Sequence, residues 1–297
     1  VSRTAAATEA GVVQAVGKKP MGQRIKAFIV DFFRQWELQS MILPGIIFMF
    51  IFCYIPIYGL SIAFKNYTVI DTLSSAPWVG FDNFHIIMTD KYFWDSVVNT
   101  LGISFLKLAI GFVVPIILAI MIYEVRLGRL KKFVQTISYL PHFLSWIVLG
   151  GMLITWFSTT GLFNELLLDL HIISKPHNIL LDAGKYWWIA TLSDIWKSAG
   201  WGTILYLAVM AKIDPTYYEA AKIDGAGRLR QIWNITLPNM RNIISLNLIL
   251  TVSGLLGSNL DQTLVLMNSQ NRDKAEVINS YVYRMGLTQG ISPMQQL

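Results

Sequence analysis

Apolar positions along this chain fall into long unbroken runs separated by short polar intervals. Met41–Phe64 holds 24 residues without a charge, enough to cross ~30 Å of hydrocarbon at ~1.5 Å per helical residue. Runs of similar length follow at 98–123, 133–157, 187–211 and 243–267. The pattern predicts an all-α polytopic membrane protein with five evident transmembrane helices. Ahead of the first run, Ile25, Phe28, Ile29, Phe32, Phe33 and Trp36 recur at three- and four-residue spacing, with Arg24, Lys26, Asp31, Arg34 and Glu37 on the rest of the wheel. This predicts an amphipathic helix lying on a membrane face. Residues 1–20 are small, polar and Ala-rich, and disorder is expected there. The chain thus divides into an N-terminal segment, 1–40, and a transmembrane domain, 41–297.

The intervals alternate in basic content. Segments 1–40, 124–132 and 212–242 hold six, four and five Lys or Arg, whereas 65–97, 158–186 and 268–297 hold two, two and three. The positive-inside rule assigns the first set, and with it the N-terminus, to the cytoplasm. Trp78, Trp94, Trp187 and Trp188 then fall near outer ends of spans, where interfacial anchors are expected. The external interval 158–186 is expected to hold a short helix at Leu162–Leu170.

Composition narrows the function classes. With 54% hydrophobic and 14% charged residues the chain is too apolar for a soluble domain, which carries about 25% charge. The net charge of +6 is accounted for by the basic intervals, so it implies no nucleic-acid partner. Cys53 is the single cysteine and sits inside an apolar run, which leaves no disulfide framework and no thiol metal site. The four histidines are scattered, and neither His-Glu-x-x-His nor Gly-x-Ser-x-Gly occurs. The stretch from Gly11 to Lys19 misses the phosphate-binding loop by spacing and by its Ser/Thr. No catalytic, metal or cofactor site is expected, and the chain is not read as an enzyme.

One interval, 213–240, is both charged and rich in helix signals. Asp214 before Pro215 is a helix start, with a side-chain acceptor at the N-cap and a proline where a missing N–H costs nothing. Helix is predicted from Pro215 to about Ile223, ending at Gly225 in a C′ position. A second short helix carries Leu229, Ile232, Trp233 and Ile235 and is expected to end at Leu237-Pro238. The result is a cytoplasmic knob, flattened by Ala220 and Ala221 and charged by Glu219 and Asp224.

Its spacing, Glu219-Ala220-Ala221, three residues, Gly225, nine residues, then Ile235-Thr236-Leu237-Pro238, resembles the EAA motif of permease subunits in ATP-binding-cassette importers. Val79-Gly80-Phe81-Asp82-Asn83-Phe84, Ser138-Tyr139-Leu140-Pro141-His142-Phe143 and Tyr281-Val282-Tyr283-Arg284-Met285-Gly286-Leu287 are similar to the carbohydrate-uptake branch, particularly permeases for acidic, alginate-like polysaccharide fragments. The resemblance implies an inner-membrane location in a bacterium and alternating access. It also implies a second homologous permease, a separate ATPase pair holding ATP and Mg, and an extracytoplasmic solute-binding protein. Carried over, Glu219, Ala220, Ala221, Asp224 and Gly225 would form the ATPase contact. The family normally finishes with a sixth span, which is expected but not seen in this sequence.

Polar groups inside apolar runs are costly and face the bundle interior or a water-filled path. Lys107, His142, Asp194, Lys197, Asn247, Asn259, Asp261 and Gln262 qualify. Asp194 and Lys197 stand three apart, and their neutralising each other is one reading; Gly254 and Gly257 with Ser253 and Ser258 read as a helix-packing strip. A path for an oligosaccharide is expected along Ser258, Asn259, Asp261 and Gln262, with Trp196 opposite and Lys107 or Lys197 as counter-charge to an anionic sugar. Two alternatives stay open: an ion-coupled secondary transporter, and an importer of a non-sugar solute, since the motif reports the engine and not the cargo.

Overall fold

The structure, a computed structural model, describes residues 34, 36–68, 70–257 and 259–288. The expected amphipathic helix at 24–37 falls almost wholly outside them. The chain divides into two compact units, residues 1–80 and 81–297.

In the first unit, α1 (Trp36–Met49) continues as a π-type turn at Phe50–Tyr54 and a tighter 3-10 stretch at Ile55–Phe64. Its apolar side chains are exposed on every side, as in a helix whose solvent is lipid. Beyond it Lys65 bridges to Trp78, and the Phe64 and Trp78 rings stack at 5.4 Å.

The second unit opens with α2 (Asp82–Thr89) and then α3 (Lys91–Leu106), which passes through a π-type turn, Lys107–Gly111, into α4 (Val113–Glu124). Next come α5 (Gly128–Tyr139), α6 (Trp146–Phe157), α7 (Leu162–Asp169) and the 25-residue α8 (Tyr186–Met210). After α9 (Pro215–Ile223) and α10 (Arg228–Gln231), a π-type turn at Ile232–Thr236 leads into α11 (Leu237–Ser253). The described part closes with α12 (Leu260–Leu266), α13 (Arg272–Ala275) and α14 (Ile278–Tyr283). Helices at Gln39–Phe64, Lys91–Glu124 and Trp146–Asp169 are long and apolar enough to cross a membrane, by length and composition.

Three π-type turns share one cause. A proline ring clashes with the carbonyl four residues before it, and for Pro56, Pro115 and Pro238 that carbonyl belongs to Phe52, Gly111 and Asn234, each within a π-type turn. The wider turn relieves the clash without ending the helix. Pro238 therefore does not terminate the knob's second helix as expected; that helix runs on into α11.

Two expected spans are each built from two pieces. Over 133–157, α5 passes into a 3-10 turn at Leu140–Phe143, and the chain breaks at Leu144 before Ser145 caps α6 by accepting from the Val148 N–H at 3.2 Å. Over 243–267, α11 ends at Ser253 and α12 begins at Leu260. Gly254 and Gly257 lie in that break, the Gly257 N–H donating to the Gly254 carbonyl at 2.9 Å, so they form a turn and not a packing strip. The Trp187 indole N–H donates to Asn99 Oδ1 at 3.2 Å and the Lys274 carbonyl at 3.1 Å, tying α8 to α3 and α13.

The central element is α8, packed against α3, α4, α5 and α11. One end joins a core of Ile103, Trp146, Leu149, Tyr186, Ile189 and Leu266. The other end joins a core of Ile116, Ala119, Tyr206, Met210, Ile213 and Met240. Its middle is polar.

Candidate functional site

The knob follows from local rules. Asp214 Oδ1 accepts from the Thr216 N–H at 2.9 Å, which caps α9 and holds the Asp214 carboxyl below its ordinary range. At the other end, the Gly225 N–H donates to Lys222 O at 3.1 Å and the Ala226 N–H to Ala221 O at 2.8 Å. These are the two bonds of a Schellman motif, and it requires the left-handed backbone that Gly225 adopts at φ +74°. The three residues between Ala221 and Gly225 are thus the separation the motif needs between its acceptor and its C′ residue.

Glu219, Ala220, Asp224 and Gly225 are exposed and Ala221 is half-buried. Beside them Tyr217, Ile223, Leu229 and Trp233 are exposed as well. The knob is rooted by Tyr218, whose hydroxyl shares a 3.0 Å hydrogen bond with the Thr236 hydroxyl and whose ring packs on the core of Tyr206, Met210 and Met240. Tyr218 thus joins α9 to a core shared by α4, α8 and α11.

Between the two cores lies a cavity of about 390 Å³, lined by the polar residues Ser104, Lys107, Asp194, Asn247, Asn259 and Gln262 among others. Lys107 Nζ stands 3.3 Å from Asp194 Oδ2 and donates to Gln262 Oε1 at 3.1 Å. Gln262 in turn donates to Ala190 O at 2.7 Å and Ser193 Oγ at 3.0 Å. Ser104 Oγ donates to the Leu255 carbonyl in the break between α11 and α12. The cavity is thus walled by α3, α4, α8, α11 and α12.

Of the expected path residues, Asn259 and Gln262 meet at this cavity, while Asp261 is exposed and absent from its lining. Trp196 points away, its ring 6.4 Å from that of Trp156. Ser258 lies outside the described residues. The expected neutralisation of Asp194 by Lys197 does not occur. Lys197 Nζ donates to the carbonyls of His142 and Leu144, at 2.8 Å and 2.5 Å. These carbonyls sit at the break before α6 and have lost helical partners, and a cation satisfies such groups well. Lys197 is a pin for the broken helix, and Asp194 takes its partner from another element. The one signal for that in the sequence was a pair of opposite charges in two separate apolar runs, Lys107 and Asp194.

Broken helices walling a polar cavity, and a rooted knob at one end, define a membrane permease. Residues 111–269 match the model of the family described as binding-protein-dependent transport system inner membrane component, and the chain belongs to that family. It is 39% identical over 289 residues to the polygalacturonan/rhamnogalacturonan transport system permease protein YteP of Bacillus subtilis, covering 97% of this chain and 88% of that one. It is also 39% identical to Protein LplB of Bacillus subtilis, over 85% of this chain and 79% of that one. A crystal structure of a bacterial ABC transporter involved in the import of the acidic polysaccharide alginate contains a chain 37% identical to this one, with a TM-score of 0.81 and coverage of 89% of this chain and 88% of that one.

Proposed function

We propose that this chain is one of two homologous permease subunits of an ATP-driven importer that carries acidic oligosaccharide fragments across a bacterial inner membrane, its N-terminus on the cytoplasmic side. The observation that carries the substrate class is near-full-length likeness at 39% and 37% identity to permeases of two systems named for acidic polysaccharides. In this reading a separate ATPase pair binds ATP and Mg and docks on Glu219, Ala220, Ala221, Asp224 and Gly225. Closure of the ATPases pushes α9, Tyr218 transmits the push to α8 and α11, and the cavity opens to one side and then the other. A solute-binding protein delivers the sugar from outside.

Two variants test the coupling. Glu219→Lys reverses a charge on the exposed face, and Gly225→Pro removes both the left-handed conformation and the N–H that closes α9. Each is expected to insert in the membrane at normal levels while losing the ATPase from the co-purified complex and losing uptake of short oligogalacturonates or oligomannuronates. Normal uptake in both variants refutes the coupling role. Uptake that survives ATP depletion and collapses with an ionophore instead makes the chain an ion-coupled carrier.

A further inference from the structure

Lys107 is the single cation and Asp194 the single anion among the described residues that line the cavity. Three features set this pair apart from a passive neutralising bridge. Lys107 opens the π-type turn that Pro115 imposes on the run Lys91–Glu124, and such turns are frequent at functional positions. Its two partners lie on different elements, Asp194 on α8 and Gln262 on α12, so the ammonium stands where three pieces of the fold converge. The third feature is a difference in tightness. Gln262 is 2% exposed and fastened by its own amide to α8. The Lys107 and Asp194 side chains are 23% and 26% exposed and 3.3 Å apart, beyond the ~2.7–2.9 Å of a tight charge-assisted bond.

An ammonium has three N–H donors. It can keep Gln262 as a pivot while it changes the anion it faces. We propose that Lys107 is a carboxylate-exchange residue: it leaves Asp194 for the carboxylate of a uronic acid unit entering the cavity, and returns to Asp194 as the sugar moves on. This rests on the acidic-oligosaccharide reading above and adds to it the group that reads the acid. The pair, in place of a bare lysine, meets two physical demands. An unpaired cation at membrane depth is expensive, and one without a competing anion would hold a polyanion too firmly for release. Exchange replaces one carboxylate by another, so the ammonium is paired before and after. Asp194 remains in the same wall, and its like charge limits how long the sugar is held. A neutral sugar brings no charge to compete for Lys107.

The test uses the whole importer, both permeases with the ATPase pair and the binding protein, in proteoliposomes supplied with trigalacturonate or trimannuronate. The double variant Lys107→Gln, Asp194→Asn removes the exchange without stranding a charge. It is expected to lower oligouronide uptake per ATP hydrolysed by roughly tenfold or more. Asp194→Asn alone is expected to lower the half-saturating oligouronide concentration and slow the maximal rate, because the competitor is gone. Lys107→Arg is expected to restore part of the uptake that Lys107→Gln loses. A double variant with wild-type uptake, or Asp194→Asn with both constants unchanged, reduces the pair to structural neutralisation and overturns the exchange while the substrate reading stands. If the double variant fails to assemble, the single variants decide. A wild-type importer that moves neither trisaccharide overturns both readings.

Discussion

Replacing Asn99 by leucine removes the side chain that ties three segments together at the middle of α3. Asn99 is 1% exposed. Its Nδ2 donates to the Asp273 and Glu276 carbonyls at 2.9 Å and 3.0 Å, and its Oδ1 accepts from the Trp187 indole. Leucine has the same branched four-atom side-chain skeleton as asparagine with bulkier ends, so the change deletes hydrogen bonds without leaving a cavity. Trp187 keeps a second acceptor in Lys274 O, whereas the buried Glu276 carbonyl loses the amide that satisfied it. The two donated bonds at about 1 kcal/mol each, with about 1–3 kcal/mol for the stranded carbonyl and the lost indole bond offset by Lys274 O, give roughly 3–5 kcal/mol. For a chain of this size that is a fall of roughly 10 °C in the apparent unfolding temperature, read by tryptophan fluorescence of the detergent-purified permease. Amide exchange should also quicken around 272–280, where the Thr100 hydroxyl accepting from the Ile278 N–H at 2.9 Å and the Trp187 indole on Lys274 O would be among the remaining ties. An unfolding temperature within about 2 °C of wild type, with unchanged protection of that stretch, refutes the reasoning.

Two further outcomes follow from the geometry. Asp214→Ala removes the cap of α9, and Thr216–Glu219 amides should exchange faster, while Asp214→Ser should retain most of the protection. Because the Thr216 N–H holds the Asp214 carboxyl below the ordinary aspartate range, the cap contributes fully above that ordinary range of about 4 and fades as pH falls through the lower folded value; protection of the α9 amides, relative to their intrinsic exchange rate at each pH, should therefore fall in acid, and the alanine variant should not show that fall. Gly200→Ala places a methyl group on the Ser138 backbone carbonyl where α5 and α8 touch, whereas a methyl at Gly151 meets nothing within 4 Å. Overpacking of this kind costs about 1–3 kcal/mol or more, so the first variant should lower the unfolding temperature and the second leave it in place; equal shifts in both refute the close approach.

What was legible in advance was local. The cap at Asp214-Pro215, the closure at Gly225 and the bounds of α9 are set within a dozen residues, and short-range backbone rules suffice for them. The runs at 41–64 and 98–123 were equally legible, because apolar character over spanning length is additive along the chain. The break before α6 was hidden by that same additivity: Leu140–Phe157 is predominantly apolar, and hydropathy does not register that Pro141 and Ser145 stop one helix and start another. The pairing of Asp194 failed for a different reason. Three-residue spacing made Lys197 its nearest candidate along the helix, but the carbonyls stranded at Leu144 and His142 claimed that ammonium.

The sequence by itself determined that this chain lives in a membrane, which interval forms the knob, and how that knob begins and ends. All of these depend on side-chain polarity and backbone preference read over neighbouring residues. Only the tertiary structure decided which charge meets which, that two apolar runs are broken helices, and that Tyr218 roots the knob in the core of α8 and α11. Those outcomes depend on desolvation: a buried ammonium or an orphaned carbonyl takes the best partner within reach in space, and separation along the chain carries no information about that reach.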